Sequence, residues 1–242
     1  MAGPKRRELL ATTSLVLLSV PAVAAGAVVK DGLPWTPGQA DPPEAAAPGS
    51  WHFFTVAEGA AVEALVDRLI PPDPETPGGK DSGCAVFIDR QLAGPYGRFE
   101  GYYMKGPFHE GTKQQGYQSP LTPAAHYRTG LAALDKYCRA SFGGSGFAQL
   151  GDGQKDELLK GLEAGSVNLD AVDGKQFFTQ LLTDTKYGFF ADPVYGGNRD
   201  MVAWKMIGFP GARYDYRDWV HRHNERYPLP PVSIRDHPNW KL

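Results

Sequence analysis

Apolar residues recur at three- and four-residue steps in five stretches of the chain, and each recurrence predicts a helix with one inward face. The first opens at Thr55-Val56-Ala57-Glu58, a hydroxyl three residues ahead of a carboxylate, which satisfies two free N–H groups at a helix start. Val62, Leu65, Val66, Leu69 and Ile70 then share a face, and Pro71-Pro72 ends it, because proline has no N–H to donate. A second helix, capped by Asp81 or Ser82, carries Cys84, Phe87, Ile88 and Leu92 and stops at Gly94-Pro95. Thr122-Pro123 begins a third, with proline at a favoured first position, and Tyr127, Leu131, Leu134 and Cys138 line one side. Two more are expected near 154–164 (Leu158, Leu159, Leu162) and 174–187 (Phe177, Phe178, Leu181, Leu182).

The segments between these helices have no period. Residues 72–79 are rich in proline and glycine and read as a rigid surface loop, while 95–120, with many Gly, Tyr and Gln, read as a long irregular connection such as a binding loop. No succession of apolar–polar alternations and no internal repeat occurs. The expected fold is mainly α: a single compact helical domain with long Pro/Gly-rich loops, spanning 51–242.

The N-terminus has a different character. Lys5, Arg6 and Arg7 precede an apolar run from Leu9 to Val29 with small residues at Ala22-Val23-Ala24, the pattern of a secretory signal over 1–30. The arginine pair followed by Glu8, Leu9 and Leu10 resembles a twin-arginine export signal, although Lys5 stands where Ser or Thr is common. A run of this length could also stay in the bilayer as an anchor. Residues 31–50, with five prolines among Ala and Gly, read as an extended tether.

Composition narrows the function classes. A net charge of −2 gives no basic footprint for nucleic acid. A hydrophobic content of 42% is enough for a packed core. The two cysteines, Cys84 and Cys138, suit an internal disulfide in an oxidising compartment; two buried thiols or a bond to a partner chain are the alternatives. The chain has no C-x-x-C-H, no G-x-G-x-x-G after a strand, no phosphate-cradling loop, no H-E-x-x-H and no G-x-S-x-G. Two cysteines alone hold no iron–sulfur cluster. No catalytic, metal or cofactor residue is therefore assigned to this chain. His221 and His223, two apart on a short helix suggested at 216–220, would point in different directions and read as surface residues. His126 reads as a packing or hydrogen-bonding residue, and His52, His109 and His237 have no evident companions. Asp156 and Glu157 fit a solvated first helical turn better than a paired-carboxylate site.

The most distinctive stretch is 187–216, where aromatics alternate with turn residues and Gly196-Gly197-Asn198 suits positive backbone dihedrals. Large faces with polar edges are what interface cores favour. The order Phe190, Asp192, Pro193, Tyr195, Gly196, Gly197, Asn198, Trp204, Lys205, Ile207, Gly208, Phe209, Pro210, Gly211 resembles the motif of the gluconate 2-dehydrogenase subunit 3 family. Phe53-Phe54-Thr55 with Glu58, Leu69-Ile70-Pro71, Gly83-Cys84 with Ile88-Asp89, and Leu121-Thr122-Pro123 with Tyr127-Arg128 extend the likeness over roughly 51–234.

That resemblance implies a non-catalytic small subunit of a periplasmic complex on the outer face of the cytoplasmic membrane. The large subunit would hold FAD and oxidise D-gluconate to 2-dehydro-D-gluconate. A cytochrome c subunit with haem c would pass electrons to quinone. The small subunit would assist maturation and take the folded large subunit through the twin-arginine translocase, its signal carrying Arg6 and Arg7. Fructose, sorbitol, glucose and 2-ketogluconate dehydrogenases have small subunits of the same kind, so the partner sets the substrate. Phe190, Asp192, Tyr195, Gly196, Gly197, Asn198, Trp204, Lys205, Phe209, Tyr214, Tyr216 and Trp219 are the expected partner-interface residues. A free-standing periplasmic carbohydrate-binding protein, stacking sugars on Trp and Tyr, is the second reading; a hydrolase using Asp192 or His126 is the third.

Overall fold

A computed structural model of the chain describes Ala46 and residues 49–109, 111–115, 119–213 and 216–234. The expected signal with Arg6 and Arg7, most of the tether, His237 and Tyr214 lie outside the described residues. The domain is mainly helical. Its helices are α1 (Val56–Leu69), α2 (Cys84–Ala93), the short α3 (Pro95–Arg98), α4 (Pro123–Ser141), α5 (Asp152–Ala164), α6 (Gly174–Phe190) and α7 (Val202–Ile207). Among the described residues the only β pairing is two isolated bridges, Leu169 with Val172 and Gly211 with Val232.

Helix α6 is the axis, in contact with α1, α2, α4, α5 and α7. Its inward stripe, Phe177, Phe178 and Leu181, meets Val62, Leu65 and Val66 of α1, Ile88 and Leu92 of α2, and Leu158 and Leu162 of α5 in one core. Each such side chain removed from water adds about 1.5–3 kcal/mol before the entropy of ordering is charged. Both halves of the predicted capping box form: the Glu58 N–H donates to Thr55 Oγ1 at 3.3 Å, and the Thr55 N–H to Glu58 Oε2 at 2.8 Å. Arg68 joins α1 to α5 through a two-pronged bond to Asp156, at 2.8 and 2.7 Å, so Asp156 is tied down rather than simply solvated.

Ahead of α1 the chain runs irregularly through His52, Phe53 and Phe54. Its three N–H groups donate to one carboxylate, Asp89 of α2: His52 to Oδ2 at 2.8 Å, Phe53 and Phe54 to Oδ1 at 2.9 Å each. Asp89 has no exposed surface, and Arg90 beside it completes the set. Arg128 of α4 holds the same segment from the other side, donating to the Phe53 carbonyl, pairing with Glu58 and lying 4.2 Å over the Phe53 ring.

Three expectations are corrected. Helix α2 is preceded not by a capping Asp81 or Ser82 side chain but by Gly83, in the left-handed region at φ +83. A Cβ there would come within 2.4 Å of the Gly196 carbonyl oxygen, so the close approach of a second loop selects glycine. Ser82 instead turns its hydroxyl to the Pro77 carbonyl. The helix suggested at 216–220 is a single 3₁₀ turn, Arg217–Trp219. The disulfide between Cys84 and Cys138 is not formed: both are free thiols in the core, where cysteine packs as a small apolar residue. Burial pushes Cys84 up to about 12 and Cys138 to about 11, so both stay protonated and lack the thiolate that exchange needs.

Replacing Asp89 by Ala strands three backbone donors at once. At about 1–3 kcal/mol for each unsatisfied buried group, Asp89→Ala is expected to destabilise by at least 3 kcal/mol, measured by chemical denaturation. A loss below 1 kcal/mol would mean that water replaces the carboxylate.

Candidate functional site

The segment after α6 turns sharply and repeatedly, and two of its polar side chains, Asp192 and Asn198, are spent on holding backbone. Asp192 is 9% exposed. Its Oδ1 accepts the Val194 N–H at 3.0 Å and the Ser233 hydroxyl at 2.8 Å, and its Oδ2 accepts the Ile234 N–H at 2.8 Å. One carboxylate thus caps a 3₁₀ turn at Pro193–Tyr195 and holds the C-terminal strap. The strap is tied further by the Gly211–Val232 bridge, with the Ala212 N–H donating to the Val232 carbonyl at 2.8 Å, and by Arg213, which donates to the Pro230 carbonyl.

Gly197 sits so close to α6 that a Cβ would lie 2.0 Å from the Gly188 carbonyl oxygen, a distance no side chain tolerates. Asn198 follows, fully buried, at φ +42. Its amide donates to the Ala191 carbonyl and its oxygen accepts the Ala203 N–H, both at 2.9 Å, joining the end of α6 to the start of α7. Asparagine suits this place because it tolerates the left-handed region and offers both a donor and an acceptor. Trp204 of α7 is 5% exposed and donates its indole N–H to the Phe190 carbonyl at 2.9 Å. The Arg199 N–H donates to the Ser82 carbonyl at 3.0 Å and ties the loop to the approach to α2.

Of the twelve expected interface residues, Tyr214 lies outside the described residues and the other eleven divide. Asp192, Gly197, Asn198 and Trp204 are buried within the domain, and Gly196 is half-buried against Val86. Phe190, Tyr195, Lys205 and Phe209 are exposed. Tyr216 and Trp219 are half-buried, and both pack on Tyr227, with ring centroids 5.7 and 5.2 Å away. Sequence reasoning missed Met206 and Ile207, 50% and 58% exposed at the end of α7, and Leu229 on the strap. Their only signal was an apolar pair between Lys205 and Gly208, which does not reveal which side faces out. Beside them a cleft of about 570 Å³ is bounded by Trp204, Phe209, Tyr227 and the prolines 228, 230 and 231.

The expected minor residues fall into place. His221 and His223 are exposed, while His126 is buried, bonded through Nδ1 to Gln180 Oε1 and edge-on to Phe177. Among the described residues no three His, Cys, Asp or Glu cluster to hold a metal ion, and no helix is long and apolar enough to cross a membrane.

A second open cavity, about 420 Å³, lies against α6 and reaches Asp184. This carboxylate is 6% exposed and accepts from the Tyr127 hydroxyl at 2.9 Å and the Tyr96 hydroxyl at 3.1 Å. Burial raises it to about 6, against the lowering effect of the two phenols and Gln180. Burial, and then the Asp184 charge, push Tyr127 well above its ordinary value, so it remains a donor.

Two outcomes follow. Asn198→Ala leaves one buried carbonyl and one buried N–H unpaired and puts alanine in the left-handed region; a loss of about 2–5 kcal/mol is expected by thermal or chemical unfolding. For Asp184 the folded carboxyl binds its proton more tightly than the unfolded one, so stability falls as pH rises through the window from about 4 to about 6. Asp184→Asn removes that loss, its amide oxygen still accepting both phenols. The variant is expected to gain over the wild type from pH 4 to pH 7, by an amount on the order of 3 kcal/mol; a gain independent of pH would contradict this.

A family model described as gluconate 2-dehydrogenase subunit 3 matches residues 56–211 of the chain. No curated protein matches the sequence. No solved structure matches it either.

Proposed function

The chain belongs to the gluconate 2-dehydrogenase subunit 3 family, and on that premise we propose that it is the accessory small subunit of a periplasmic, flavin-dependent gluconate 2-dehydrogenase. Membership of a multi-subunit dehydrogenase follows from the family itself. In this reading the FAD sits in a large partner subunit, which converts D-gluconate to 2-dehydro-D-gluconate, and haem c sits in a cytochrome subunit. Neither group is assigned to this chain. Its tasks are to stabilise the large subunit and, through Arg6 and Arg7, to bring it to the twin-arginine translocase.

The match over 56–211 carries the reading; the division of the 190–211 segment supports it. Asp192 and Asn198 face inward and hold the backbone, while Phe190, Met206, Ile207 and Phe209 face solvent among the exposed Arg199, Asp200 and Lys205. Exposed apolar groups fixed on a rigid backbone lose little entropy when a partner covers them.

The test is co-expression with a flavin-dependent gluconate dehydrogenase large subunit and recovery through a tag on this chain. Ile207→Asp combined with Phe209→Ser is expected to cut recovered flavoprotein about tenfold or more while leaving the melting temperature of the chain unchanged. Undiminished recovery would move the interface elsewhere. Oxidation of gluconate by the purified chain alone, with a dye acceptor, would overturn the accessory role. Oxidation of fructose, sorbitol, glucose or 2-ketogluconate by the recovered complex would keep that role and change the substrate.

A further inference from the structure

The cavity at Asp184 stands apart from the 190–211 surface and has a chemistry of its own. Three aromatic residues border it, Tyr96, Phe99 and Tyr187, the last 64% exposed, and Gln176 and Gln180 lie between them. Asp184 is the one acid bordering it. Among the described residues no lysine, arginine or histidine pairs with this carboxylate; its partners are the two phenols and the Gln180 side chain, all neutral. A carboxylate serving only to accept the buried Tyr127 hydroxyl would be more costly than an amide, since burial penalises its charge. The charge is therefore surplus to the fold.

The nature of the missing partner follows from the walls. A divalent metal ion needs several oxygen ligands, and here one carboxylate is already engaged by two O–H donors. A neutral hydroxyl or amide could bond to Asp184 but would leave its charge uncompensated. An organic cation satisfies both features, its N–H groups donating to the carboxylate and its flat face lying on aromatic rings. A guanidinium does this better than an ammonium, because it is planar and less strongly hydrated.

We propose that the Asp184 cavity is a binding site for a guanidinium group, placed by Tyr96, Phe99 and Tyr187 and paired with the carboxylate. Its two possible sources are an arginine side chain inserted by a partner protein and a free small guanidinium compound. The proposal does not depend on the accessory-subunit reading.

The probe is methylguanidinium, titrated into the full purified chain, with amide chemical shifts of Gln180–Tyr187 as the readout. N-methylurea, of the same shape but neutral, is the control. Saturable shifts with methylguanidinium and none with N-methylurea are expected. Asp184→Asn, which keeps the phenol bonds, is expected to weaken binding about tenfold or more. Tyr187→Ala, at an exposed position, is expected to weaken it severalfold. Absence of saturable shifts, equal response to the urea, or undiminished binding by Asp184→Asn would overturn the proposal. The source is read from the recovered complex: release of a bound protein by methylguanidinium from the wild type, with no such protein held by Asp184→Asn, assigns an arginine side chain. Saturable methylguanidinium binding at the cavity that releases no protein assigns a free compound.

Discussion

Asp192 is the constraint on which the 190–234 part of the domain depends. Three donors from two distant stretches, Val194, Ser233 and Ile234, converge on its two oxygens. Irregular backbone cannot satisfy its own N–H groups as a helix does, and an unpaired buried group costs about 1–3 kcal/mol. A carboxylate accepts in several directions at once, so a single side chain can organise a turn and a returning strap together. Asp89 solves the same problem at the other end of the chain, taking three N–H groups from the segment ahead of α1. The helices are packed by apolar stripes; the loops between and around them are fixed by buried acids.

This arrangement explains why the motif residues split as they do. Asp192, Gly197, Asn198 and Trp204 fix where the backbone goes, each through a contact within the domain. What remains of the segment, Phe190, Tyr195, Lys205, Ile207 and Phe209, is displayed by that backbone. A motif of this kind does not present its most distinctive residues to a partner. It builds a rigid ledge from them, and the less distinctive apolar positions between them meet the outside.

The regular elements were legible in the sequence because a helix announces itself through its own period. Thr55 with Glu58, Pro71, Thr122 and Pro123 mark local events, and the helices begin and end within a few residues of them. The end of α6 ran past expectation to Phe190, because the Tyr187–Phe190 aromatics continue its inward and outward faces rather than starting a loop. Long-range partners were not legible. Gly83 was unremarkable until Gly196 packed against it, and Cys84 and Cys138 looked like a bridge until both proved to be core residues. The 216–220 turn had helical composition without an apolar stripe to bury, and it stops after one 3₁₀ turn. Which aromatics of 187–216 face inward depended on Asn198 and Gly197 bending the chain, and no periodicity describes a bend.

The buried acids differ in one respect that separates structure from surplus. Asp89 and Asp192 stand next to irregular backbone, and the donors they receive are peptide N–H groups that would otherwise be stranded. Removing either carboxylate leaves those N–H groups without an acceptor. Asp184 lies in the middle of α6, where the backbone is already paired, and its partners are phenol hydroxyls from α3 and α4 and the neutral Gln180 side chain of its own helix. Tyr127 does need an acceptor at that depth, but any oxygen would serve. The full negative charge, raised toward neutrality by burial and left facing an open aromatic cavity, answers no requirement inside the domain. A charge that the fold bears at a cost and does not use is accounted for by something outside it.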